Sequence, residues 1–79
     1  MKKEVLEVLN GLRPEIDHED ITDYIEEGLL DSLDIIYLVA ELEKKLGISI
    51  NGEEIVPENF RNFKSIQKLI TKIQNINEF

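Results

Sequence analysis

The chain has 79 residues and a formal net charge of −8, because 17 acidic side chains outnumber 9 Lys and Arg. So short a chain forms one domain over residues 1–79 and buries only about 60% of its unfolded surface, which leaves no room for an enzyme cleft of ordinary size. The acidity argues against binding nucleic acid or an anionic membrane, which require clustered Lys and Arg, and favours a basic protein partner, although it equally suits a small domain kept soluble. The lack of Cys excludes disulfides and zinc-thiolate sites.

The first predicted element is a helix over residues 2–12. Val5, Val8, Leu9 and Leu12 recur at helical spacing, and Pro14 ends the pattern. The same residues are too charged, and their apolar run is too short, for a signal-peptide core or a membrane span. We therefore expect a cytoplasmic protein that does not insert into membranes.

Residues 15–30 form a long acidic connection. Its interspersed Ile, Leu and Tyr residues predict an ordered loop with a short turn at residues 20–26, since a disordered linker would lack them. No register of its acids supplies the alternating ligands and central Gly of a calcium loop, so we predict no metal site. His18, the single His, has no second metal-binding residue at a recognisable spacing and is predicted to lie at the surface.

Residues 28–34 place Ser32 at the start of the clearest predicted helix, residues 33–46. This predicted helix contains no Gly or Pro. Asp31 is a good N-cap, Asp34 completes a capping box with a shorter acid than usual, and Gly47 is placed to end the helix. Ser32 then lies in the first turn, where unpaired backbone N–H groups and the helix dipole favour a phosphate ester. The alternative is that Ser32 only helps to cap the helix.

This helix is apolar on two sides. The first stripe has the spacing of a helix packed on a core and comprises Ile35, Leu38, Val39, Leu42 and Leu46. The second stripe lies on roughly the opposite face and comprises Leu33, Ile36, Tyr37 and Ala40. A domain of this size can scarcely bury both, so the second stripe is either a contact surface for partners beside Ser32 or a face that packs under a loop.

The rest of the chain is predicted to add one short and one long helix. Residues 48–52 alternate like a strand but have no partner strand, which favours an extended connector with two buried isoleucines. A short helix is predicted within residues 53–62 with Pro57 at its first position, and Phe60 and Phe63 are expected in the core. Ser65 is predicted to cap the last helix, and residues 75–79 to fray. The predicted fold is an all-α, up-and-down bundle of three main helices and one short helix.

The sequence around Ser32 carries a family resemblance. Asp31-Ser32-Leu33-Asp34, followed by Ile36, Leu38-Val39 and Leu42-Glu43, resembles the Asp-Ser-Leu motif and second helix of acyl carrier proteins. The resemblance covers essentially the whole chain, since the chain length, the preceding helix and the acidic lead-in loop also agree. It implies that Ser32 carries 4′-phosphopantetheine, attached covalently from coenzyme A by a phosphopantetheinyl transferase.

The same resemblance implies what the chain does and what it contacts. It would be a monomer that holds acyl intermediates as thioesters for fatty acid, polyketide or related biosynthesis, passing them between ligases, synthases and transferases without turnover of its own. Asp31 and Asp34 are candidate contacts to the transferase. Further candidate partner contacts are Leu33, Ile36, Tyr37 and Ala40.

Alternative functions stay open at this point. Gly28-Leu29-Leu30-Asp31-Ser32 is similar to the same stretch of D-alanyl and other aminoacyl carrier proteins, which implies loading by a dedicated adenylating ligase. A rival of another class is an unmodified helical interaction domain, in which Ser32 is only a cap. An enzyme is least favoured, because no Cys, paired acids or supported His offers a catalytic group.

Overall fold

A computed structural model describes residues 2–76 and shows three α-helices joined by irregular segments and short 3₁₀ turns. The helices are α1 (Lys2–Leu12), α2 (Ser32–Leu46) and α3 (Phe63–Ile76). The 3₁₀ turns are His18–Asp20, Gly52–Glu54 and Pro57–Phe60. The predicted all-α bundle is confirmed, and the first helix has the predicted bounds. Within residues 2–76 no helix is both long and apolar enough to cross a membrane.

The core is a hydrophobic cluster of aliphatic and aromatic side chains to which every α-helix contributes. α1 contributes Val5, Val8 and Leu9; α2 contributes Ile35, Leu38, Val39 and Leu42; α3 contributes Phe63, Ile66, Leu69, Ile70 and Ile73. Tyr24, Leu30, Ile50 and Phe60 join them from the connections. The connecting segments therefore close the core that the helices leave open, as the apolar residues of the long loop predict.

Local capping sets the ends of α2. The Asp34 N–H donates to Asp31 Oδ1 over 2.9 Å, and the Asp31 N–H donates to Asp34 Oδ2 over 3.0 Å. At the other end Gly47 adopts the left-handed conformation with φ 64°, and its N–H donates to the Glu43 carbonyl. Both predicted caps are confirmed, because each depends on residues within one helical turn.

The start of α3 differs from the prediction. The helix begins at Phe63, and the Asn62 side-chain oxygen accepts from the Ser65 N–H over 2.8 Å, so Asn62 rather than Ser65 is the capping residue. The Asn62 amide also donates to the Thr22 carbonyl over 3.1 Å, a contact with the long loop that Ser65 does not make. The helix ends at Ile76, within the stretch 75–79 for which the sequence predicts fraying, and residues 77–79 lie outside the described part of the chain.

The predicted short helix is the 3₁₀ helix Pro57–Phe60, which begins at Pro57 as expected, and another 3₁₀ turn, Gly52–Glu54, precedes it. One prediction about the long loop needs correction. His18 was predicted at the surface but is only 2% exposed. Its burial follows from two hydrogen bonds that satisfy both ring nitrogens, one to a side chain six residues away and one to a backbone carbonyl. No local pattern in the sequence shows those partners.

Candidate functional site

Ser32 is the first residue of α2 and is exposed to solvent. Among residues 2–76 the Ser32 hydroxyl has no hydrogen-bond partner, so the capping is done by Asp31. The backbone N–H groups at this end of the helix carry a partial positive charge. A hydroxyl in this place is accessible to a large reactant, and a negative group attached to it would be electrostatically stabilised.

The turn that leads into Ser32 is held by the long loop. Gly28 has a φ of 73°, a conformation that other residues rarely adopt, and its N–H donates to the Ile25 carbonyl over 3.1 Å. The N–H groups of Leu29 and Leu30 both donate to the Tyr24 carbonyl, over 2.8 and 3.2 Å. The Tyr24 N–H in turn donates to the Arg61 carbonyl over 2.6 Å, which ties the loop to the segment before α3.

An ion pair between Arg13, the residue after α1, and Asp34 in the first turn of α2 also holds the serine's helix. Arg13 Nη2 lies 2.9 Å from each carboxylate oxygen of Asp34. The Asp34 side chain, 15% exposed, also completes the capping box with Asp31. The Asp34 N–H, donating to the Asp31 carboxylate, holds the pKa of that carboxyl below its usual value. Of the two acids predicted to face a partner, Asp34 is thus engaged within the chain, whereas Asp31 is exposed.

Behind this turn lies a buried polar pair. His18 Nε2 is 2.8 Å from the Arg13 carbonyl, and His18 Nδ1 is 2.8 Å from the Tyr24 hydroxyl. Because a carbonyl can only accept, Nε2 carries the proton, and in the neutral ring Nδ1 accepts from the Tyr24 O–H. Burial raises the pKa of the Tyr24 hydroxyl, which keeps it a donor. The pair therefore connects the end of α1 to the loop that holds the serine turn.

The second apolar stripe of α2 faces solvent. Leu33, Ile36 and Tyr37 are 75%, 62% and 52% exposed, and Ala40 is exposed as well. Within residues 2–76 no loop covers this face, so the prediction of two distinct apolar sides is confirmed and the alternative of packing under a loop is wrong. Three large apolar side chains exposed together on one helix face are unusual for a small domain and are typical of contact surfaces.

An apolar cleft of about 530 Å³ opens beside Ser32. Ser32 is one of the residues that line it, and the segment between α2 and α3 contributes others. Three of the lining residues also belong to the core: Leu30, Ile35 and Phe60. The volume lies within the range of small-molecule sites. Within the described residues there is no group of three or more acids or histidines that could hold a metal ion.

The serine, its cap and the second apolar stripe of α2 follow from local sequence patterns, whereas the structural roles of Arg13, His18 and Tyr24 do not. Asp34 is 21 positions from Arg13, and no pattern at that spacing indicates contact. One sequence feature points to the His18–Tyr24 contact: the single His and a Tyr lie in the same long loop, which is predicted to be ordered.

Comparison with known proteins assigns the family. Residues 3–73 match the family model described as a phosphopantetheine attachment site. A D-alanyl carrier protein of Leuconostoc citreum is 32% identical over 77 residues, covering 96% of this chain and 95% of the relative. D-alanyl carrier proteins of Enterococcus faecalis and Streptococcus gordonii are 33% and 28% identical, over 89% and 95% of this chain and 88% and 96% of the relatives. No solved structure matches the chain.

The family match extends from α1 almost to the end of α3, so it concerns the whole bundle rather than the serine motif alone. The sequence-based resemblance to phosphopantetheine-binding carriers is confirmed by it. The chain belongs to the phosphopantetheine attachment site family, whose members hold acyl groups on a covalently attached 4′-phosphopantetheine and are carriers rather than enzymes.

Proposed function

We propose that Ser32 is the attachment residue for 4′-phosphopantetheine and that the chain carries D-alanine or a similarly small carboxylic acid. The observation that carries the proposal is the exposed Ser32 hydroxyl at the first turn of α2, beside an apolar cleft. An attached phosphodiester would lie at the positive end of the helix dipole, and the arm would extend beside the cleft. When attached, the group supplies a thiol that holds the cargo as a thioester.

In the attachment reaction this chain mainly has to present the Ser32 hydroxyl to the transferase. The Ser32 oxygen forms a bond to phosphorus, the phosphoanhydride bond of coenzyme A breaks, and adenosine 3′,5′-bisphosphate leaves. The hydroxyl proton passes to a base of the transferase. The capping box and the Arg13–Asp34 pair hold the serine turn in one conformation, which lowers the entropy lost when the transferase binds.

Partner contacts are proposed for Asp31 and for the exposed stripe of α2. Asp31 is exposed and negatively charged, which suits a basic transferase surface. Asp34, bonded to Arg13, would act on the transferase mainly through the shape of the turn. The apolar contacts are Leu33, Ile36, Tyr37 and Ala40. We expect Ile36→Lys to weaken association with loading enzymes, while Asn10→Lys on the exposed side of α1 adds the same charge without that effect.

D-alanine is favoured as cargo by the names of the relatives, which are D-alanyl carrier proteins. The chain shares about a third of its residues with them over nearly its full length. Carriage of longer acyl chains for fatty acid or polyketide synthesis is the second candidate, because the cleft beside Ser32 is apolar. The two candidates differ in the ligase that loads the arm.

Intact-mass spectrometry tests the attachment. The chain is incubated with coenzyme A, magnesium and a broad-specificity phosphopantetheinyl transferase, together with Ser32→Ala and the control Ser49→Ala, which removes another exposed serine. We expect one phosphopantetheinyl unit on the parent and on Ser49→Ala, and none on Ser32→Ala. A folded parent that gains no mass would leave the unmodified interaction domain as the better hypothesis.

The cargo is tested on the modified protein. It is offered to a D-alanine-activating ligase with D-alanine and ATP, and in parallel to a fatty-acyl ligase with octanoate and ATP. We expect the mass of D-alanine to be added much faster than that of octanoate. Loading with octanoate alone would favour the fatty acyl function and contradict the D-alanyl assignment.

A further inference from the structure

The second apolar stripe of α2 is followed by a lysine on the same side of the helix. Lys44 lies four residues after Ala40, a spacing that places the two side chains next to each other on one helix face. The Lys44 side chain is exposed. Neither Glu41, three residues earlier, nor any other acid in the described part of the chain lies within ion-pair distance of its ammonium. The charge of Lys44 is therefore available to a partner that covers the stripe.

The neighbouring Lys45 is placed differently. It lies about 100° further round the helix, and its Nζ is 3.0 Å from Glu7 Oε2 on α1. Both lysines belong to the last turn of α2, where a positive charge offsets the helix dipole. The dipole accounts for a lysine at either position, but it does not account for a charge that continues an apolar face.

The other end of the stripe is acidic. Asp31 is exposed there, and the turn that leads into Ser32 carries two further exposed acids, Glu26 and Glu27. At 1.5 Å per residue, Lys44 lies about 18 Å from Ser32 along the helix axis. This separation exceeds the Debye length of about 8 Å at physiological ionic strength, so the acids do little to cancel the charge of Lys44. A partner that covers the stripe therefore meets negative charge at one end and positive charge at the other.

We propose that Lys44 sets the orientation in which the loading ligase docks on α2, and that the ligase carries an acidic side chain opposite it. The proposal rests on the carrier function proposed above. An apolar stripe alone can bind a partner in either direction along the helix, but only one direction places the partner's active site over Ser32. In the reversed direction the acid of the ligase would face Asp31, and like charges brought together oppose binding.

The kinetic test measures loading of the modified chain at varied carrier concentration, by whichever of the two ligases of the cargo test loads the parent. Lys44→Glu is compared with Lys45→Glu, which makes the same change of charge in the same helical turn but on another side. We expect Lys44→Glu to raise the KM for the carrier by about tenfold and to leave kcat unchanged, because only docking is affected. Lys44→Arg, which keeps the charge, and Lys45→Glu should stay within about twofold of the parent. At 1 M salt, where the Debye length is about 3 Å, most of the effect of Lys44→Glu should disappear.

Cross-linking with a carbodiimide identifies the opposing acid, because this reagent joins an amine to a carboxylate with loss of water only where the two are in contact. We expect peptide mapping of the parent with its ligase to find Lys44 joined to an Asp or Glu of the ligase. Replacing that acid by Lys should restore loading of Lys44→Glu. Equal KM values for Lys44→Glu and Lys45→Glu, an effect on kcat alone, or cross-links that never include Lys44 would each overturn the proposal. A modified parent that neither ligase loads would instead refute the carrier function on which the contact depends.

Discussion

Removal of one hydroxyl from the buried His18–Tyr24 pair should destabilise the whole domain. In Tyr24→Phe the ring stays in the core, but His18 Nδ1 loses its donor at a site that is 2% exposed. A buried acceptor left without a partner costs about 1–3 kcal/mol. We therefore expect the free energy of unfolding to fall by about 2 kcal/mol, which lowers the thermal midpoint of so small a domain by roughly 8–16 °C.

A double variant distinguishes two causes of this loss of stability: a buried acceptor without a donor, and a change in core packing. His18→Leu in the Tyr24→Phe background removes the acceptor as well as its donor, and only the Arg13 carbonyl then needs a new partner. Replacing both members of a hydrogen-bonded pair costs less than removing either one alone, so the double variant should lose at least about 1 kcal/mol less than the sum of the single losses. The free energy of unfolding is measured by urea unfolding at neutral pH, followed by circular dichroism. The four proteins are the parent, Tyr24→Phe, His18→Leu and the double variant. Additive losses, or a Tyr24→Phe protein within about 0.3 kcal/mol of the parent, would refute the assigned bonding.

Three further predictions concern the serine turn. Arg13→Met and Asp34→Asn should show a coupling free energy of about 1 kcal/mol in a double-mutant cycle. This coupling should become smaller at high salt, because the Arg13 side chain is one-third exposed. A coupling that does not change with salt would contradict an ion pair. The pKa of Asp31 is held below its ordinary 3.8 by the Asp34 N–H, so its stabilising effect is complete above that pH and is lost as the pH falls through the lower folded-state pKa. The free energy of unfolding of Asp31→Asn in urea should therefore depend less on pH in this acidic range than that of the parent. An unchanged pH dependence would show that Asp31 does not contribute to it. Gly28→Ala should lose about 1 kcal/mol because of its φ of 73°, whereas Gly11→Ala inside α1 should gain up to about 1 kcal/mol; the same sign for both in thermal unfolding would be inconsistent with the backbone argument.

The parts of the fold that depend on neighbouring residues could be predicted from the sequence. The capping box at Asp31 and the glycine end of α2 each involve residues within one turn, so propensity and spacing suffice. The burial of His18 could not be predicted, because its two partners are brought to it by the path of the loop. The start of α3 was misplaced for a related reason: Asn62 and Ser65 are both good caps, and a contact of Asn62 with Thr22, 40 residues away in sequence, accompanies the cap that forms.

The same difference between local and long-range contacts explains which parts of the candidate site could be predicted from the sequence. The two apolar sides of α2 could be predicted from residue spacing, and exposure of one of them was favoured because so small a domain can scarcely bury both. The supports of the serine turn were not, because they join the end of α1, the long loop and the segment before α3. A carrier must present one hydroxyl and one face to several different enzymes without a large interface of its own. The polar links from Arg13, His18 and Tyr24 fix the turn that leads into Ser32 and leave its side chain exposed, as the proposed attachment requires.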